Sequence, residues 1–208
     1  RGGNSSGGTM GNKDDLDTTP DGLGNDGLGS IGTAIFLNNT SNVTLRRVTV
    51  NGTNANFGLY AEDVTNFVME YSTIGGANGD AFTSFPRPRE GTAIFNDLFG
   101  TSSVFESIVS GAFEDNMRIE NTSATPLTFS LTNSTIQNNN TTSGNIGVRF
   151  ASVTAGTNMT GTISNNTFQG NRTESINTDA SNGTVNTTIT NNTIIAGTGG
   201  NNRGNLGI

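Results

Sequence analysis

Residues 161–170, GTISNNTFQG, place apolar Ile163 and Phe168 five positions apart around Asn165 and Asn166. Side chains alternate along a strand, so an odd interval would send the two apolar residues to opposite faces. A bend at Asn165–Asn166 with one residue left-handed returns both to one interior. Asn tolerates that conformation better than other non-glycine residues. The motif therefore reads as a corner between two strands. Its register recurs at 45–50 (LRRVTV), 69–74 (MEYSTI), 104–109 (VFESIV), 131–136 (LTNSTI) and 189–194 (ITNNTI), and successive copies end 24, 35, 27, 32 and 26 residues apart. A period in the twenties that tolerates insertions is that of a solenoid with its insertions confined to loops.

A second strand segment precedes each corner: 35–38 (IFLN), 59–62 (LYAE), 94–97 (IFND), 117–120 (MRIE), 148–151 (VRFA) and 176–179 (INTD). These pieces are short, β-branched and bounded by Gly, Asn and Thr, which makes helix a poor choice for the repeating unit. Hydrophobic residues make up 31% of the 208 positions and 29 are glycine. That is too little apolar material for a wide core, but enough for a thin column shared by stacked layers. The fold expected is all-β: a right-handed single-stranded parallel β-helix of about six coils, on the order of 30 Å long at about 4.8 Å per coil. Asn133, Asn165 and Asn191 fall at equivalent corners, where a side-chain amide ladder is expected. Arg47, Tyr71 and Glu106 hold the corresponding places in the first three copies.

The Asn-Asn corner followed by a glycine-led strand resembles the right-handed parallel β-helix repeat of pectate-lyase-like proteins. GTAIFLNNTSNVTLRRVTV, FGLYAEDVTNFVMEYSTI and GTAIFNDLFGTSSVFESIVSGAFEDNMRIEN are similar to repeat regions of large bacterial secreted and surface proteins, including autotransporter-like passengers. The resemblance runs from Gly32 to the end. It implies an extracellular or cell-surface location with an outer-membrane-attached parent, and a structural or adhesive role without catalysis. The alternative it implies is a polysaccharide-binding or polysaccharide-cleaving enzyme fragment, because in pectate-lyase-like enzymes this face carries the cleft, with carboxylates that hold calcium or act as acid and base.

Residues 1–31 read as the tail of a preceding coil and an acidic Gly/Asp-rich loop, and 32–208 as the β-helix with a loop inserted at about 78–90. Asp14, Asp15, Asp17 and Asp21 are candidate calcium ligands by their density. They lack the spacing and terminal Glu of an EF-hand, and a solvated acidic loop is the plainer reading. No other cofactor is expected. The strand entry at 205–208 (NLGI) repeats 145–148 (NIGV), so a piece of a longer polypeptide, or a unit that associates end to end, is expected. The net charge of −7 without a basic cluster speaks against nucleic acid as a partner. No apolar run is long enough to enter a membrane as a helix. Zero Cys and zero His remove thiol chemistry and the commonest general base. The partners expected are extracellular polysaccharide or a host or neighbouring surface.

Outward positions of the first segment line up as Phe36, Tyr60, Phe95, Arg118, Arg149 and Asn177, beside Asn38, Glu62, Asp97, Glu120, Ala151 and Asp179. Aromatics grading into arginines suit an extended polymer. Asp97, Glu120, Arg118 and Arg149 are the candidate catalytic set, since carboxyls on adjacent coils approach the shorter of the two separations used in glycoside hydrolysis. A solvated polar face explains the same residues without chemistry. Phe82, Phe85, Arg87 and Arg89 in the inserted loop are further binding candidates. FEDNMR, 113–118, reads as a turn into a strand. A Thr column at Thr49, Thr73, Thr135, Thr167 and Thr193 invites comparison with ice-binding β-helices, but Ile108 interrupts it, which leaves ice binding a minor alternative.

Overall fold

In the computed structural model the described residues are 33–55, 57–78, 91–137 and 146–195. They contain seventeen strands and no helix. Every pairing between these strands is parallel. The strands fall into three series, here the A, B and C faces, each pairing onward along the chain to give a curled, nearly closed arrangement compatible with a solenoid.

The A face comprises Thr33–Ser41, Phe57–Thr65, the first part of Gly91–Phe105, Asp115–Asn121, Val148–Ser152 and Ile176–Ala180. The B face comprises Thr44–Arg46, Val68–Glu70, the last part of Gly91–Phe105, Leu127–Thr132, Asn158–Ser164 and Thr184–Thr190. Thr49–Ala55, Thr73–Asn78, Ile108–Ser110, Thr135–Gln137, Thr167–Gln169 and Thr193–Ile195 make the C face.

One apolar cluster runs up the inside, with Met69, Val104, Leu131 and Ile163 from the B face and Ile74, Val109, Ile136 and Phe168 from the C face. Both ends of the ISNNTF motif are thus interior. The bend between them is a left-handed residue at the same place in each of the six copies: Arg47 (φ 55), Tyr71 (φ 52), Glu106 (φ 43), Asn133 (φ 52), Asn165 (φ 57) and Asn191 (φ 54). The rings of Phe129 and Phe150 stack with centroids 5.9 Å apart. Gly161 lies beside Phe129 in register, and a Cβ there would come within 2.8 Å of the Phe150 ring. Glycine at that point leaves the interior room for the aromatic pair.

The hydrogen-bonded column is not the left-handed Asn set but the residue after it. The Ser72 backbone N–H donates to Ser107 Oγ (3.1 Å), Ser107 to Ser134 Oγ (3.1 Å), Ser134 to Asn166 Oδ1 (2.8 Å), and Asn166 to Asn192 Oδ1 (2.9 Å). Val48 opens the series by donating to Ser72 Oγ. The steps between partners, 24, 35, 27, 32 and 26 residues, equal the periods of the repeat. At each corner the turn leaves a backbone N–H that the inter-strand ladder does not satisfy, and a short polar side chain of the following layer accepts it.

The third A-face segment differs from the sequence reading by one residue. Ala93, not Ile94, lies opposite Leu59 and Met117, so Phe95 belongs to the column Leu37, Ala61, Phe95, Ile119, Phe150. Phe95 is 1% exposed and meets Phe67 edge-on at 5.0 Å. A one-residue slip exchanges the two faces of a strand. With Ile94 and Phe95 adjacent, both assignments looked apolar inside. Small Ala61 stands opposite Phe95 on the preceding strand, and Ala93 two residues before it on the same face. Phe95→Ala should therefore cost about 3–5 kcal/mol in urea unfolding, as a core Phe truncation does. A loss below about 1 kcal/mol would restore the outward placement.

Candidate functional site

The outer A face is the polar strip that the sequence pointed to, with its register corrected. One outward column is Phe36, Tyr60, Ile94, Arg118, Arg149 and Asn177. The next is Asn38, Glu62, Asn96, Glu120, Ala151 and Asp179. The twofold alternation of short strands puts these groups on one side of the sheet, and parallel pairing stacks them in rows.

The first half of the strip is closed rather than open. Tyr60 and Ile94 are 1% and 0% exposed and form a second apolar cluster with Phe57, against which Phe36 packs. Phe36 and Tyr60 stack with centroids 5.8 Å apart, and Phe57 meets Tyr60 at 4.6 Å. The Tyr60 hydroxyl donates to Glu62 Oε1 (2.8 Å) and accepts from Asn96 Nδ2 (2.8 Å). Burial, and next the hydrogen bond to Glu62, push the Tyr60 phenol well above its usual range.

The second half is an ion-pair network. Arg149 reaches Glu120 Oε1 through Nε at 2.7 Å, Asn177 Oδ1 through Nη1 at 3.2 Å and Asp179 Oδ2 through Nη2 at 3.0 Å. Arg118 is only 4% exposed, and its Nε stands 3.7 Å from Glu120 Oε2, outside hydrogen-bonding distance. Glu120 is thus shared between two guanidinium groups, and Arg149 ties three layers together.

Asp97 stands apart from this network. It has φ 61 and accepts from Thr122 N (2.6 Å), Thr122 Oγ1 (2.6 Å) and Ser123 N (3.0 Å). Its carboxylate holds the turn of the following layer. Asn96, not Asp97, faces Glu120, so no carboxylate lies opposite Glu120 on the adjoining strands, where Asn96 and Ala151 stand. Asp97, expected beside Glu120, is not its register partner and turns its carboxylate to Thr122 and Ser123. Phe95 is interior, and of the candidate set only Arg118, Arg149 and Glu120 come together.

Phe82, Phe85, Arg87 and Arg89 lie outside the described residues, as do Asp14, Asp15, Asp17 and Asp21. Among the described residues no group of three or more Asp, Glu, His or Cys side chains is placed to hold a metal ion. FEDNMR carries more than a turn. Asp115 and Asn116 are fully buried, Asp115 Oδ1 accepts from Ile146 N, and Asn116 Nδ2 donates to Asn171 Oδ1 at 2.9 Å. The signal for this internal polar brace was the break in apolar alternation at 114–116. No family model, no curated protein and no solved structure matches this chain.

Proposed function

We propose that the chain is a right-handed single-stranded parallel β-helix of about six coils, and that it serves as a rigid, non-catalytic structural or adhesive segment of a secreted or cell-surface protein. Right-handedness follows from the rule that parallel strands of one sheet are joined by right-handed crossovers in nearly all proteins. The observation that carries the role is the side-chain column from Ser72 to Asn192, which ties each layer to the next rather than shaping a cleft. The engagement of Glu120 by Arg149, and of Asp97 by the turn at Thr122 and Ser123, favours structural work for the polar strip. Polysaccharide or a neighbouring surface is the partner class, with polysaccharide cleavage as the second reading, favoured by the near-buried Arg118 on the same strip.

Incubation with acidic polysaccharides, with and without calcium, tests this directly. The intact chain is expected to release no product. Calcium-dependent product formation that disappears in Asp97→Ala/Glu120→Ala would overturn the structural reading and establish the enzyme.

A further inference from the structure

The B face carries a feature that the polar strip does not explain. On Leu127–Thr132, Asn158–Ser164 and Thr184–Thr190, alternate side chains form the interior, and the others point out. Parallel register aligns the outward groups into columns: Ser130–Thr162–Thr188 and Thr132–Ser164–Thr190, with Thr128 and Thr160 beginning a third that Asn186 continues. Neither pairing contains a register shift. Hydroxyls therefore recur about 4.8 Å apart across the strands and about 6.6 Å apart along them, a two-dimensional grid. Most are threonine, whose β-branched side chain is stiff at χ1 and holds its hydroxyl and methyl in fixed directions.

The same three strands contain no charged residue. Soluble surfaces are ordinarily about a quarter or more charged, so the grid selects against an ionic partner. Each hydroxyl donates one hydrogen bond and accepts others, as water does. None of the outward groups on the three strands is aromatic, and the ring faces on which sugars stack are missing. Periodicity in two directions suits a crystalline surface better than a single molecule. We propose that this face binds ice, its hydroxyl rows ordering water at spacings comparable with the repeats of the ice lattice. The interrupted Thr column of the C face, with Ile108 in its midst and Ile195 beside its last member, is a poorer grid.

The experiment is growth of polycrystalline ice from a dilute solution of the whole chain, with thermal hysteresis measured on the same samples. The intact chain is expected to enter the ice and to lower the growth temperature below the melting temperature. Thr162→Lys, at the centre of the grid, should reduce incorporation about tenfold or more. Thr188→Lys, at a more exposed position of the same column, serves as the second variant. Thr167→Lys on the C face should keep the binding, and circular dichroism melts identify variants that remain folded. Exclusion of the intact chain from ice overturns the proposal, as does undiminished binding by a folded Thr162→Lys or Thr188→Lys. Adsorption to crystalline cellulose or chitin without incorporation into ice would overturn it in favour of a polysaccharide surface.

Discussion

Ile163→Asp is expected to unfold the stack as one cooperative unit. Ile163 is 1% exposed and sits in register between Leu131 and Ile189, in the apolar column that every layer shares. Introducing a carboxylate there leaves a buried charge without a partner, which costs about 3–5 kcal/mol. Domains of this size are stable by roughly 5–15 kcal/mol, so the variant should lose a large part of its margin. Burial raises the carboxyl pKa in the folded state above its unfolded value of about 4. The folded state then holds a proton that the unfolded state releases, so the deficit grows as pH rises above that unfolded value and shrinks below it. Urea unfolding at two pH values measures both effects. Thr162→Asp, one residue away and outward, should shift stability by no more than about 0.5 kcal/mol. Equal tolerance of both substitutions would place the interior column elsewhere.

Asn166→Ala is expected to break the hydrogen-bonded column that links the layers. The Asn166 side chain accepts from Ser134 N, donates to Leu131 O at 2.8 Å and to Asn192 Oδ1 at 3.0 Å, and is itself 1% exposed. Truncation orphans a buried N–H and weakens the partnering of a buried carbonyl, at about 1–3 kcal/mol for each group left unsatisfied. Asn165→Gly, at the adjacent left-handed corner, should be close to neutral, because glycine adopts positive φ without strain. Melting temperatures of the two variants decide the matter. Asn165→Gly losing more than Asn166→Ala would move the structural weight from the hydrogen-bonded column to the exposed one.

The two neighbouring Asn positions illustrate what the chain declares and what it conceals. In sequence they look alike, and the repetition of the first suggests a ladder. Its repetition reflects backbone conformation: Arg47, Tyr71 and Glu106 adopt the same left-handed geometry in the earlier layers, so the corner tolerates several residue types. After Val48, the second position reads Ser72, Ser107, Ser134, Asn166 and Asn192, whose short polar side chains are a legible signal of an internal acceptor. The hydroxyl grid of the B face was likewise written as alternating Ser and Thr in LTFSLT, NMTGTIS and TVNTTIT.

The sequence by itself determined the repeat, its unequal periods and the place of each corner between the B and C faces, because the apolar pairs around that bend are local and their spacing admits one interior. Tertiary structure alone decided the register of the 94–97 segment, and with it the fate of Phe95 and Asp97. Two adjacent apolar residues satisfy the strand pattern in either phase, and what separates them is their partners on the neighbouring strands, Ala61 and Ile119 for Phe95 and Tyr60 and Arg118 for Ile94. It also decided that Tyr60 and Arg118 are enclosed, and that Arg149 spans Glu120 and Asp179. Burial and ion pairing are properties of neighbours, and in this chain the neighbours of each layer lie roughly one repeat period away.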